Sequence, residues 1–431
     1  MPRGRTRTAE RQSLLWSVVW SSLVVVLTSI FHVALAENEY IKKDSQQPTI
    51  TPLETLWYAS TLVRYSAIFG TFFLLGTIVA YLFYPALSAA THQVETMRET
   101  IQTTATSSDN TSFVGQQLSR CKPLLSVIIP AYNEQDRLAI MLQSAFEYLS
   151  SHQCPALRHL QEHFRIGSES FPNNIKNDYN NSQRHHIEWV LVNDGSTDET
   201  VPVYRSMVSQ LLKNSRLTID MTFVVITLPV NSGKGAAVQA GMLQSNGWYR
   251  LMVDADGATR FSCLQDLVVQ GIKSHQYHQS TLLTWGSRAH LQEQQQRSKG
   301  AAGRTFLRQW LMHAFHWFVR ILCCSTTIQD TQCGFKLFDQ RSAQLLFRNL
   351  HLRRWAFDTE LVVLAHVLQL PICEVFVDWK EVEGSKLHTS ALNLAFVAIG
   401  MLRDMICVRL CYGLGIWRIQ GTQDGISKKE D

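Results

Sequence analysis

Short apolar runs, each ending in a polar, glycine-bearing signature, constrain what this chain can fold into. Two of the signatures carry carboxylates. Val-Asn-Asp-Gly-Ser-Thr-Asp (192–198) closes the run Ile187–Val192, and Met-Val-Asp-Ala-Asp-Gly (252–257) closes Tyr249–Val253 about sixty residues later. Runs of this length separated by helical spacing read as buried strands of an α/β sheet. In an open α/β sheet, ligands bind outside the carboxyl ends of the strands, which is where both signatures fall. Side chains two apart on a strand share a side, so Asp254 and Asp256 are expected to converge. Two bare carboxylates roughly 6 Å apart repel by about 3 kcal/mol at an effective dielectric near 20. A shared hard cation removes that penalty, and oxygen ligands suit Mg2+ or Mn2+. The expectation is a metal held by Asp254 and Asp256 against a phosphorylated ligand.

The same alternation extends along the chain. Leu124–Ile129, Ile187–Val192, Phe223–Thr227, Tyr249–Val253 and Thr281–Trp285 read as a parallel set of strands. Glu134–Ser150, Thr200–Leu212 and Gly235–Ser245 have helical spacing between them. The predicted fold is α/β, Rossmann-like, with a mostly parallel sheet and helices on both faces. His152–His186 is polar and reads as an inserted loop. Beyond Gly303, Arg304–Leu322 reads as a helix, Asp358–Leu370 as another, and Ile372–Val377 as a late strand.

At 431 residues the chain has room for such a domain plus attachments. Residues 1–90 read as a membrane anchor. Leu14–Ala36 carries no charged residue and as a helix would reach about 34 Å, enough for a hydrocarbon core of about 30 Å. Ser66–Tyr84 would reach about 28 Å before Pro85 stops it. A cleaved signal peptide is the alternative for the first run, because Ala34-Leu35-Ala36 resembles a cleavage site. Either way, everything after Pro85 falls on the cytosolic side, given Arg3, Arg5, Arg7 and Arg11 at the amino end. Residues 91–120 read as a polar stalk, 121–385 as the catalytic domain with an insertion at about 152–186, and 386–431 as a membrane-associated helical segment. Within that last segment Arg403, Asp404 and Arg409 argue against a third crossing. An amphipathic interfacial helix edged by Trp417 and Arg418 is expected, with packing on the domain's own core as the alternative.

The net charge of +5 is spread out and lacks the dense basic run of a nucleic-acid binder. It suits an anionic substrate or membrane lipid. Nine cysteines without a Cys-x-x-Cys pair signal neither a zinc site nor a disulfide framework.

Several further residues carry chemistry. Tyr132 and Glu134 follow the first strand, where an aromatic can stack on a base and a carboxylate can bind a ribose or base edge. With Asp194 at the neighbouring strand end, Tyr132 is placed to clamp a uracil; by itself the segment reads equally as a turn and helix start. Ser196 or Thr197 is expected to cap the following helix. Asn-Ser-Gly-Lys-Gly (231–235) opens a helix whose amino end and backbone N–H groups favour phosphate, with Lys234 adding a point charge; in isolation such a motif is a turn. Arg288 at a strand end, Arg304 and Lys336 suit phosphate, whereas Arg353 and Arg354 read as surface charge. Asp358 and Glu360 at a helix start read equally as an N-cap with dipole stabilisation and as an acceptor-side orienting group or base.

These residues, in this order, resemble the family-2 glycosyltransferases of the GT-A fold from about Leu124 to Arg418. The general part is Ile-Pro-Ala-Tyr-Asn-Glu (129–134), Asp-Gly-Ser (194–196) and Asp-Ala-Asp (254–256). The specific part is Asp-Ala-Asp-Gly-Ala-Thr (254–259), Gly-Ser-Arg-Ala-His-Leu (286–291), Asp-Thr-Gln-Cys-Gly-Phe-Lys-Leu-Phe (330–338), Trp-Ala-Phe-Asp (355–358) and Glu-Gly-Ser-Lys-Leu (383–387). It is similar to the branch that moves glucose onto dolichyl phosphate. The resemblance implies a membrane enzyme of the endoplasmic reticulum, catalytic domain facing the cytosol. It would use UDP-glucose as donor and dolichyl phosphate as acceptor, with inversion, in protein N-glycosylation. Pro130, Tyr132, Glu134, Asp194, Lys234, Asp254, Ala255 and Asp256 would hold the donor, and Asp254 and Asp256 the metal. Arg288, Arg304 and Lys336 would hold the acceptor phosphate. Asp256, Asp358 and Arg288 are the candidate catalytic residues, with Asp358 orienting rather than acting as a strong base. A GDP-mannose-using enzyme and a non-catalytic sugar-nucleotide-binding adaptor are the competing readings. The family usually has Asp where Asn193 stands, and a second long hydrophobic run at the amino end is unusual for it.

Overall fold

A computed structural model describes residues 70–86, 97–101, 122–150, 154–167, 186–214, 219–278, 281–291, 328–380, 382 and 391–420. The chain divides into two compact units, Met1–His92 with Ile406–Trp417 and Gln93–Met405 with Arg418–Asp431. In the second, an 8-stranded sheet runs in the order β1-β4-β3-β2-β5-β7-β6-β8. The strands are β1 (Met97–Ile101), β2 (Leu125–Ala131), β3 (His186–Asn193), β4 (Asp220–Thr227), β5 (Tyr249–Val253), β6 (Leu283–Ser287), β7 (Phe335–Asp339) and β8 (Cys373–Phe376). The helices are α1 (Leu138–Ser150), α2 (Pro155–Gly167), α3 (Thr200–Asn214), α4 (Lys234–Gln244), α5 (Leu264–His278), α6 (Gln340–Arg348), α7 (Phe357–Val367) and α8 (Ala391–Gly413).

The central strands are buried on both faces, as their largely apolar runs require, with Ser126, Glu188 and Arg250 buried among the apolar residues. Val127 and Ile129 join a core with Met141 and Phe146 of α1, where the Phe146 ring lies 4.3 Å from that of Trp189. Ile128 and Val192 face the other way, onto α4. There Gly241 lets the helix lie close: an added Cβ would stand 2.4 Å from Ile128 and 2.8 Å from Val192. Period-two alternation therefore puts helices on both sides of the sheet. The six buried positions of α1 (Leu138, Met141, Leu142, Ala145, Phe146, Leu149) are those its helical spacing picks out.

The sheet is mixed but mostly parallel, with the five expected strands β2 to β6 running the same way. β2 pairs parallel with β3 and β5, β3 with β4, and β6 with β8. β7 enters antiparallel between β5 and β6, and β1 lies antiparallel on β4. β1 corrects the stalk expectation at 97–101. It is held by Arg98, which reaches the buried Glu188 at 3.1 Å. The insertion at about 152–186 is also corrected, because Pro155–Gly167 forms α2 and buries Ala156, Leu157, Leu160 and Phe164.

In the other unit, residues 70–86 are helical, running past Pro85, and Phe72, Phe73, Leu74 and Leu75 are exposed. Among the described residues no helix is long and apolar enough to cross a membrane. The anchor expected at 14–36, the start of that at 66–84, the helix expected at 304–322 and the block 383–387 lie outside the described residues. In α8, Met405, Cys407, Val408 and Cys411 are buried, as is Trp417 beyond it. Ile399 in the same helix and Leu414 just past it are exposed, and Trp417 is not an exposed edge residue.

Candidate active site at the carboxyl ends of the strands

The loops after β2 and β3 are sewn together. The Asn133 N–H donates to Ser196 Oγ at 3.0 Å, the Glu134 N–H to Thr200 Oγ1 at 2.8 Å, and the Thr197 N–H to Asn133 Oδ1 at 2.8 Å. Asn133 takes a positive φ of 53° to do this, a conformation asparagine tolerates. Asp198, not Ser196 or Thr197, serves the start of α3, accepting from the Thr200 N–H at 3.1 Å. Asn193 accepts the Ser196 N–H at 2.9 Å through its side-chain carbonyl. An amide does here what a carboxylate would do, which is why an Asn fits in place of the usual Asp.

Asp194 is buried, and both its oxygens accept backbone N–H groups, Ser232 at 2.7 Å and Gly233 at 2.9 Å. Burial pushes its carboxyl above the usual range, against the pull of those two bonds and of Arg354. It organises the loop ahead of α4, a role its motif alone did not reveal. The Ala236 N–H in the first turn of α4 donates to the Arg353 carbonyl at 2.9 Å. Three amides of this segment, those of Ser232, Gly233 and Ala236, are therefore already bonded within the protein. The same Arg353 carbonyl lies 2.6 Å from where a Cβ on Gly233 (φ 100°) would stand. Glu360, fully buried, fixes this loop by accepting the His351 and Leu352 N–H groups at 3.0 and 2.7 Å.

Around the end of β5 the charges converge. Lys234 Nζ stands 2.7 Å from Asp254 Oδ1. Burial draws its pKa down, but Asp254, Asp358 and Asp256 together outweigh this and hold it above the ordinary lysine value. Arg137 Nη2 pairs with Glu134 at 2.5 Å and its Nη1 stands 4.0 Å from Asp256. Asp254 and Asp256 lie just past the strand end, each about a third exposed (32% and 30%). They are not bare: each has a protein cation against it, which revises the repulsion argument. Pro130 and Ala255 are buried, and Tyr132, two residues after Pro130, is half-buried.

Among the described residues, no three His, Cys, Asp or Glu side chains are grouped to hold a metal. Two carboxylates, each about a third exposed, nevertheless fit Mg2+, which usually takes one or two carboxylates and completes its shell from substrate phosphates and water.

The acceptor-side residues are placed differently from expectation. Arg288 makes a fork to Asp330, Nε to Oδ2 at 2.7 Å and Nη2 to Oδ1 at 2.9 Å, and lies 5.4 Å over the Trp379 ring. Burial opposes its charge, but Asp330 more than compensates and raises its pKa further. Lys336 is fully buried, bonded to two carbonyls and to Asp358 Oδ1 at 2.5 Å. It presents no surface to an acceptor phosphate, and that expectation is corrected. Asp358 is 2% exposed and does not cap α7, whose N-cap is Ala356. Burial raises its carboxyl, against Lys336 and Lys234. Arg304 lies outside the described residues.

Sequence reasoning missed Arg137, Gly334 and Trp355. Arg137 was legible as the i+3 partner of Glu134. Gly334 matters because an added Cβ would stand 1.9 Å from Asp254 Oδ2. Trp355, 43% exposed, has Lys234 Nζ 5.6 Å from its ring.

The family model for glycosyl transferase family 2 matches residues 173–330. The chain is 39% identical to the dolichyl-phosphate beta-glucosyltransferase of Dictyostelium discoideum over 69% of its own length and 77% of that protein's. It is 36% identical to that of Homo sapiens, covering 69% and 79% of the two chains. With that of Saccharomyces cerevisiae it shares 33% identity over 70% and 83%.

Proposed function

The chain belongs to the dolichyl-phosphate beta-glucosyltransferases, enzymes that move glucose onto dolichyl phosphate, and from that premise we propose that its donor is UDP-glucose and that transfer inverts the anomeric carbon. The observation that carries this reading is the Lys234–Asp254 pair, with Asp256 beside it, in the crevice at the strand ends. Lys234 is the group placed to turn from Asp254 to the donor diphosphate. Mg2+ or Mn2+, held by Asp254 and Asp256, would neutralise charge on the UDP leaving group. Arg137 and Glu134 would set where Asp256 points. Tyr132 would cover the uracil face. Asp194 would act chiefly by shaping the loop under Lys234.

An oxygen of the acceptor phosphate attacks the anomeric carbon as the bond to UDP breaks and its electron pair leaves with UDP. A phosphate monoester has its second pKa near 6, so the attacking oxygen needs no strong base. Arg288, aimed by Asp330, would hold the acceptor phosphate, with Arg304 as a second contact. Asp358 is buried against Lys336, within the field of Lys234, and would act as a counter-charge rather than touching acceptor. We place the enzyme in the endoplasmic reticulum membrane, anchored through residues 14–36 and 66–84, with the catalytic domain facing the cytosol.

Membranes carrying the protein, given radiolabelled UDP-glucose or GDP-mannose with dolichyl phosphate, provide the test. Label should enter lipid from UDP-glucose. Faster transfer from GDP-mannose would overturn the donor assignment.

A further inference from the structure

Lys336 is the second residue of β7, opposite Met252 of β5 and Trp285 of β6, with no exposed surface. A buried ammonium is costly unless paired and hydrogen-bonded. Here its three donors are all engaged. They reach the Thr331 carbonyl at 3.1 Å, the Cys333 carbonyl at 2.7 Å and Asp358 Oδ1 at 2.5 Å, while the Trp285 ring lies 4.7 Å away. None is left for a substrate.

The groups it grips lie on two sides of one carboxylate. The two carbonyls belong to the turn that carries Gly334, whose Cα is pressed against Asp254 so closely that a Cβ would stand 1.9 Å from Oδ2. Asp358 shares the field of Lys234, and Lys234 stands 2.7 Å from Asp254. Remove the ammonium of Lys336, and Asp358 becomes a buried carboxylate with Lys234 as its nearest answering cation. Lys234 is then drawn from Asp254 toward Asp358, and the turn loses the tie that holds Gly334 in place.

We infer that Lys336 is a positioning residue for glucose transfer, setting Asp254 from one side through the Gly334 turn and from the other through Asp358 and Lys234. The inference rests on the glucosyltransferase reading for its kinetic consequence, and on geometry alone for its structural one.

The variant Lys336→Met keeps chain length and removes the charge and the donors. With UDP-glucose and dolichyl phosphate, the full chain should lose at least about tenfold in kcat, since small misplacements cost that much. Its KM for dolichyl phosphate should stay within about twofold. A raised acceptor KM with kcat intact would mean that Lys336 meets the acceptor phosphate after all, and would overturn the inference. In a cycle with Asp254→Asn, the double variant should be no more than about twofold slower than Asp254→Asn alone, because coupled residues do not add. Losses that multiply would make Lys336 merely structural. Should Lys336→Met fail to accumulate folded, Lys336→Gln keeps donors for the carbonyls and removes the charge. A determined structure of either variant decides the point without turnover. Lys234 should be displaced from Asp254 toward Asp358, and an unmoved Lys234 and Gly334 would sink the proposal. A wild type that transfers glucose from no donor refutes the function while leaving this comparison intact.

Discussion

At the scale of single residues, the acids at the strand ends are matched to cations: Asp254 to Lys234, Asp256 and Glu134 to Arg137, Asp358 to Lys336, Asp330 to Arg288. On the proposed function, a diphosphate would take the lysine while a cation takes the carboxylates. Asp256→Ala should therefore abolish transfer and Asp254→Ala reduce it severely. EDTA should stop the wild type, with recovery on adding Mg2+ or Mn2+; full activity in chelator would refute the metal. Gly334 offers a second test. Its substitution by Ala forces a methyl group into the Asp254 carboxylate, an overpacking of about 1–3 kcal/mol. Activity should fall at least about tenfold if the acid is displaced, read in the same lipid-transfer assay, and wild-type rates in Gly334→Ala would show that the contact is slack. Asp254, Asp256 and Lys234 were legible from their motifs, and Arg137 from its spacing to Glu134. The pairing of Lys336 with Asp358 was not, because nothing local to either residue records which chain segment will lie beside it.

At the scale of elements, the strands β2 to β6 and the helices between the first of them were legible, while α2, α5, α6, β1 and β7 were not. In α2 the buried Ala156, Leu157, Leu160 and Phe164 are interleaved with Arg, His, Gln and Glu, so an amphipathic helix reads as a polar stretch. β7 (Phe-Lys-Leu-Phe-Asp) carries a lysine and an aspartate in five residues, so it lacks the apolar run that marks the other strands, and strand direction is set by the path of the chain between strands. The packing of α2 carries a pH signature. His163 donates to or accepts from the Tyr249 hydroxyl at 2.6 Å, and its ring lies 4.8 Å from that of His275. Burial first, and the charge of His275 second, push its pKa down to about 4. The unfolded chain, titrating near the usual 6.5, takes up a proton that the folded chain refuses between these values. Stability present at neutral pH is thus lost as pH falls from about 6.5 toward 4, by at most about 3 kcal/mol. Urea unfolding at pH 7 and pH 5 should show that loss in the wild type and a smaller one in His163→Phe. Equal losses in both would place the titration elsewhere.

For the whole molecule, the proposed orientation makes a prediction about modification. Asn110-Thr111-Ser112 and Asn180-Asn181-Ser182 are acceptable glycosylation sequons and lie on the cytosolic side if the catalytic domain does. Neither should carry glycan; a glycosidase-sensitive mass shift lost in Asn110→Gln would reverse the orientation. Membership of the family was legible because its specific blocks are local strings in a given order, and order survives in a sequence. So was the α/β alternation, since hydrophobic period is a property of neighbours along the chain. The charge pairs were decided only in three dimensions. Asp194 reaches Gly233 across 39 positions, Arg288 reaches Asp330 across 42, and Lys336 reaches Asp358 across 22. In each case a charged or polar group was buried by the packing of sheet and helices and had to find its partner there, since an unpaired charge in that interior would cost more than the fold can bear.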